Sequence, residues 1–427
     1  MDGIAVLVVA AAIFLWGAVS ARLARADLTA PIVFVALGAA LAGSGVLGEG
    51  VSAEAVLPLV ELTLVWVLFS DAARVPLRDL RADTGRCVRL LGVGLPLSIA
   101  AGWALALVLL PGLGGWSALL VAAALAPTDA ALGVPVVTDP AVPAGIRRLI
   151  SVESGLNDGI ATPVVLLAIA EAASAHGGGE SPGLAVALGE LLVGAVIGTA
   201  AGAGGGLVLR WARSRQWAAE DFVGIAVLAL ALSAYGLALA GHGNGFVAAF
   251  CAGLGFGATA GPRSAAELVF AEQTAALVSL LVWLAFGAVA VPVVAEGVDV
   301  SVLLYAALSL TVVRMVPVAV ACVGAGLDRP TVLFIGWFGP RGLASLVFAL
   351  LALEELGPAA DEAVAVIGVA VLASVVAHGI TSAPLAARYG RWAAERVGEP
   401  TVPGPELAQR GLPRRRSAAG KKPSNGR

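Results

Sequence analysis

Charge is what this sequence has least of. Of 427 residues, 13% are Asp, Glu, Lys or Arg, about half the share of a soluble domain. Such a surface cannot be wetted all round, so a water-soluble globule is excluded. Cysteine is nearly absent as well. Cys87, Cys251 and Cys322 lie in or beside apolar runs at no metal or redox spacing, and read as small buried hydrophobes. The first segment starts with Asp2, without a basic region or a clear small-residue cleavage site. It therefore reads as a retained helix and not a signal peptide. Short alternating segments, the mark of a spanning β-barrel, are missing too. What remains is apolar: 59% of residues are hydrophobic, in runs of the roughly 20 residues that cross a bilayer. The chain reads as an all-α polytopic membrane protein.

Thirteen spans are expected, at about 3–21, 30–47, 56–72, 88–110, 116–138, 149–173, 184–209, 221–241, 243–260, 271–294, 300–323, 330–353 and 362–385. The basic residues between spans test this count. Arg22 and Arg25 follow span 1, and Arg74, Arg78, Arg81, Arg86 and Arg89 follow span 3. Arg147 and Arg148 follow span 5, Arg210, Arg213 and Arg215 span 7, Arg263 span 9, and Arg329 span 11. Arg388, Arg391 and Arg396 follow span 13. Every one follows an odd-numbered span. The other loops carry acids or nothing: Glu49, Glu54, Glu180, Glu296, Asp299, Glu354, Glu355, Asp361 and Glu362. The positive-inside rule then puts the N-terminus outside and the C-terminus in the cytoplasm. The Pro-, Gly- and Arg-rich tail from about Gly398 reads as disordered, either drawn to anionic lipid or simply solvated.

A few ionisable groups fall inside the spans: Glu61, Asp129, Glu153, Asp158, Arg314 and Arg341, with Asp71 near a helix end. Each costs at least ~2.5–3.5 kcal/mol at the membrane centre, which makes them functional candidates. Asp158 lies about 13 Å into span 6, at 1.5 Å per residue. Asp129 lies at a similar depth in span 5, which runs the opposite way. Ser154 and Asp158 are four apart and share a helix face; Glu153 and Asn157 share another. One face can hold a ligand and the other a partner, and Arg341 is the expected counter-charge for Glu153. A satisfied polar network between helices is the plainer alternative.

Two spans look broken at mid-length. Span 5 contains ALAPTDAALGVP, where Pro127 removes a backbone donor and Gly133–Pro135 loosens the helix again. Span 12 contains WFGPRGLAS, interrupted by Gly339, Pro340 and Gly342. The two lie seven spans apart, so they cross the membrane in opposite senses. Interrupted helices in corresponding positions of inverted repeats point to a transporter's binding site. The expected repeats are spans 4–6 and 11–13, with spans 5 and 12 crossing. Carbonyls freed beside Thr128 and Asp129 suit a cation.

PTDA at 127–130, ESGLND at 153–158 and GPRGLAS at 339–345 resemble motifs of bacterial sodium/proton antiporters of the monovalent cation:proton antiporter-1 family. ELTLVWVLFSDAARVPL at 61–77 is similar to that family's third helix and GHGNGFVAAFCAGLGFG at 241–257 to its ninth. The resemblance covers nearly the whole chain up to the tail. It implies a homodimer in the cell membrane that exchanges Na⁺ or Li⁺ for H⁺ by alternating access. It also implies a division of the chain. Residues 1–87 and 174–299 would form the dimerisation and linking helices, and 88–173 and 300–390 the transport domain. Residues 391–427 would be a cytoplasmic tail. Asp129 and Asp158 would bind the ion, with Thr128 (main chain) and Ser154 (side chain) adding oxygens. Glu61 would contribute, directly or through water. Glu153 would pair with Arg341, Asn157 would brace the site, and Arg314 matches a basic residue of the eleventh helix. Gly155 stands where many members carry a larger apolar residue.

Hard monovalent cations want oxygen ligands, and carboxylates, hydroxyls and carbonyls supply them. Exchange of this kind needs no ATP, and no GxxxxGK[ST] loop is present. No cofactor, enzymatic reaction or nucleic-acid partner is expected. Potassium in place of sodium is the nearest alternative. A channel would line its pore with acid rings or carbonyl loops. An intramembrane aspartyl protease would show Tyr-Asp and Gly-x-Gly-Asp pairs, which this sequence lacks. Trp283 and Trp337 read as packing or interfacial residues. His176, His242 and His378 are expected near membrane edges, in interfacial or pH-sensing roles. Glu267 and Glu272 would start a solvated helix or attract cations at the cytoplasmic mouth.

Overall fold

A computed structural model describes residues 3–24, 29–44, 53–75, 83–129, 132, 134–177, 183–261 and 265–397. Arg25, Glu49, Arg78, Arg81, Glu180, Arg263 and the tail lie outside the described residues, as do the side chains of Glu267 and Glu272.

Helix is the dominant regular structure among the described residues, which contain no strand. Three helices come first in order: α1 (Gly3–Ala24), α2 (Ala30–Gly43) and α3 (Ala53–Arg74). Next are α4 (Thr84–Arg89), a π-helical turn (Leu90–Gly94), α5 (Leu95–Leu109), α6 (Gly114–Leu125) and α7 (Val134–Thr138). The middle of the chain forms α8 (Ala144–Ala175), α9 (Gly183–Ser214), α10 (Glu220–Ala240), α11 (Gly245–Thr259) and α12 (Ala265–Glu296). The last stretch forms α13 (Val300–Leu310), α14 (Val312–Ala321), α15 (Arg329–Trp337), α16 (Leu343–Leu356) and α17 (Asp361–Val397). Among the described residues, nine segments are long and apolar enough to cross a membrane. One of them, Leu343–Arg396, covers α16 and all but the last residue of α17. Three shorter apolar helices accompany them.

Both expected interruptions are present. α6 stops at Leu125 and helix resumes at Val134; α15 stops at Trp337 and helix resumes at Leu343. A third, unexpected, divides residues 300–321 at Thr311, whose backbone (φ −109°, ψ −87°) is not helical.

α9 lies along α11, α11 along α3, and α12 along α2. Small residues permit this: a side chain at Gly198 or Gly202 of α9 would strike the backbone of Ala248 or Ala252 in α11. α5 packs on α6, α6 on α8, and α13 and α16 on α17. α12 also lies along α17 and α16 along α3, and α3 and α11 meet α8. There Gly155 lies against the Asp71 carbonyl and Gly159 against the Phe250 ring. α1 keeps large apolar side chains such as Phe14 (75% exposed) facing outward, as suits contact with lipid or another chain.

Candidate functional site

The site forms where the two interruptions cross. A helix that stops inside a protein leaves carbonyls and amides that must find partners. Here each interruption serves the other. Asp129 N donates to the Pro340 carbonyl at 2.8 Å, and Leu343 N donates to Asp129 Oδ2 at 3.2 Å. Leu343 is the first residue of α16, so the Asp129 carboxylate sits at a helix N-terminus, where the dipole favours negative charge. Ser345 Oγ donates to the Ala124 carbonyl at 2.6 Å and holds the end of α6. Gly342 is required by closeness: a β-carbon there would overlap the Asp129 carboxylate.

α8 supplies the facing wall. Asn157 Nδ2 donates to Thr128 Oγ1 at 2.7 Å, and the Thr128 and Ser154 hydroxyls lie 3.0 Å apart. Ser154 and Asn157 thus act together on Thr128, although the sequence reading put Asn157 on the face of Glu153. Asp158 is buried, one turn beyond Ser154. Its main-chain carbonyl accepts from Thr162 Oγ1 at 2.7 Å. Asp158 feels the charges of Asp71 and Asp129, and Asp71 that of Asp129. Three acids therefore share one electrostatic neighbourhood.

The arginines correct one expectation. Glu153 pairs with Arg314, Nη1 to Oε1 at 2.6 Å, both buried. Arg341 had been expected in that place. It stands instead in the interruption itself, where unpaired carbonyls surround it. Its Nη1 reaches the carbonyls of Gly339 (3.0 Å), Pro127 (3.3 Å) and Ala126 (3.4 Å), and Nη2 that of Ser309 (3.4 Å). Each belongs to or adjoins the C-terminal end of an interrupted helix, which carries partial negative charge. Glu153 stays within electrostatic reach of Arg341 but makes its direct bond elsewhere.

Glu61 and Asp71 lie ten residues apart on α3, about 15 Å along the axis. Asp71 is the one beside the aspartates; Glu61 lies near Glu354 and Tyr235. Asp71 carried a signal in the sequence, an acid three residues before Arg74, to which it pairs at 3.8 Å. His378 is also placed differently: it is buried, 1% exposed, against the second interruption. A position near a membrane edge had been expected. His176 and His242 do stand at helix ends. Trp283 is buried in the core, and Trp337 donates to Thr381 Oγ1 at 3.0 Å.

A family model described as sodium/hydrogen exchanger, transmembrane, matches residues 8–388. The chain belongs to the sodium/hydrogen exchanger family. Two solved structures of the sodium proton antiporter MjNhaP1 from Methanocaldococcus jannaschii have a similar fold. The one determined at pH 8 superposes with a TM-score of 0.68, over 90% of this chain and 98% of that one, at 17% identity. The one from an electron-microscopy map gives 0.59, over 94% and 99%, also at 17% identity. At that identity the likeness concerns the fold. The exchanger family consists of transporters, so the crossing belongs to a multi-pass membrane transporter.

Proposed function

We infer that this exchanger trades Na⁺, or Li⁺, for H⁺ at the crossing, with Asp129 and Asp158 as the ion-binding carboxylates. Thr128 and Ser154 contribute oxygens, Asn157 braces Thr128, and Asp71 adds a third acid where Glu61 had been expected. The observation that carries this reading is the hydrogen-bonded crossing. It gathers carboxylates, hydroxyls and freed carbonyls at one place, the ligand types a hard cation prefers.

The chemistry is competition. Neighbouring carboxylates in a medium of low dielectric cannot all remain charged without compensation. Either protons or a cation can supply it, and each displaces the other. The paired Glu153 and Arg314 hold α8 against α14, and Arg341 stabilises the interrupted helix ends without occupying the ion position. The helices of 88–173 and 300–390 would move against those of 1–87 and 174–299, opening the site to each side in turn. The charge pattern between spans supports an N-terminus outside and a C-terminus in the cytoplasm, in the cell membrane. The outward apolar side chains of α1 suit a homodimer contact.

Competition has a defined signature. In proteoliposomes, the Na⁺ concentration giving half-maximal exchange should rise as pH falls, while the rate at saturating Na⁺ is approached at every pH. Half-saturation independent of pH would contradict a shared site. Parallel titrations with K⁺ and Li⁺ read the selectivity.

A further inference from the structure

The interruption at 338–342 is held from a side that the ion site does not use. Its buried polar groups can be assigned one by one. The Pro340 carbonyl takes Asp129 N, the Gly339 carbonyl takes the Arg341 side chain, and Leu343 N reaches Asp129. Two groups look away, toward α17. Arg341 N donates to Ser374 Oγ at 2.7 Å. The Trp337 carbonyl, at the end of α15, accepts from Gly339 N at 2.8 Å and also lies 2.9 Å from His378 Nε2. Ser374 and His378 are four apart, so they stand one turn above each other on α17. Both are buried, at 0% and 1% exposure. His378 Nδ1 lies 2.9 Å from the Ser374 main-chain carbonyl and 3.1 Å from Ser374 Oγ, and its ring stacks on Trp337 with centroids 5.2 Å apart.

Both ring nitrogens of His378 face main-chain carbonyls, Nε2 that of Trp337 and Nδ1 that of Ser374. A carbonyl can only accept, so whichever nitrogen carries a hydrogen donates to the carbonyl it faces. Ser374 Oγ accepts from Arg341 N and lies beside Nδ1. The contacts form one connected set, from Arg341 N through Ser374 and His378 to the Trp337 carbonyl. They join the two ends of the interruption through α17. Between those ends lie Gly339 and Pro340, and Pro340 is the residue that holds Asp129.

We propose that Ser374 and His378 are positioning residues for ion exchange, acting as a two-residue clamp that sets the shape of the 338–342 interruption and through it the place of Asp129. The proposal rests on the reading of Asp129 as an ion ligand. Neither side chain touches the ion; both act through the backbone between α15 and α16. A clamp of this kind alters ion affinity more than the rate of the loaded transporter.

The test uses the purified full chain in proteoliposomes, with Na⁺-driven proton flux measured across Na⁺ concentrations. Ser374→Ala and His378→Ala should each raise half-saturating Na⁺ by about tenfold, the size of one buried hydrogen bond. The rate at saturating Na⁺ should stay within about twofold. Ser374→Thr keeps the hydroxyl and His378→Gln keeps one donor and one acceptor; both should restore affinity to within about threefold. Because the two residues touch each other and hold the same interruption, the double alanine variant should lose less than the product of the two single losses. If one alanine variant does not fold, the other carries the test. Native half-saturation in the folded alanine variants, with only yield or melting temperature reduced, would overturn the clamp. Asp129→Asn run alongside separates the two levels. If it is silent while the alanine variants bind Na⁺ normally, only the clamp fails. If it exchanges like the wild type, the ion-site reading fails and the clamp with it.

Discussion

Glu153 and Arg314 form a buried ion pair whose worth lies in its completeness. Removing one partner leaves an uncompensated charge, at a cost of about 3–5 kcal/mol. Glu153→Ala should therefore lower the melting temperature of the purified protein sharply. The fraction that stays folded should keep its half-saturating Na⁺. A large loss of ion affinity at unchanged stability would make Glu153 a ligand and not a strut. Pairing Glu153→Ala with Arg314→Ala should recover part of the lost stability, whereas pairing it with Arg341→Ala should not. At Gly342 the constraint is space. Gly342→Ala places a methyl group where the Asp129 carboxylate sits, so exchange should fall at least tenfold at all Na⁺ concentrations. Gly115→Ala, at a position with open space around it, should be neutral in the same flux assay.

Helices show how much of the site could be read beforehand. Pro127 and the Gly339–Pro340–Gly342 run announced two interruptions, because proline and glycine act on the backbone locally. The break at Thr311 had no such residue to announce it. It exists with a tertiary partner, since the Ser309 carbonyl is taken by Arg341 from the 338–342 interruption. The same distance in sequence hid the arginine exchange: which of two buried arginines meets Glu153 depends on where α14 and the interruption point their side chains. Depth along a helix placed Asp129 and Asp158 near one level, but could not choose between Glu61 and Asp71 on α3. One element carries its own pH dependence. Asp299 caps α13, accepting from Val302 N at 2.8 Å and Ser301 Oγ at 2.7 Å. These bonds hold its carboxyl below the usual range. A depressed value means the contribution is full above the unfolded value of about 3.9 and is lost as pH falls through the folded one. Asp299→Asn keeps the acceptor but does not titrate. The melting-temperature difference between wild type and this variant should be largest near neutrality and shrink below about pH 4. A difference that does not change with pH would contradict the capped, ionised carboxyl.

As a whole, the molecule is a set of apolar helices around one polar crossing, and the charge between its spans predicts a direction across the membrane. Single cysteines at Ser214, the last residue of α9, and at Val298, between α12 and α13, should be labelled from opposite sides by an impermeant reagent after Cys87, Cys251 and Cys322 are replaced. Ser214 should react only from the cytoplasm; labelling of both from one side would overturn the topology. The central claim is that protons and a monovalent cation compete for carboxylates contributed by two neighbouring helices. Its most direct test is Na⁺-driven proton flux in proteoliposomes of wild type, Asp129→Asn and Asp158→Asn, with equal amounts of folded protein. The account predicts flux in the wild type and none above empty vesicles in either variant. Full flux in either one would contradict it.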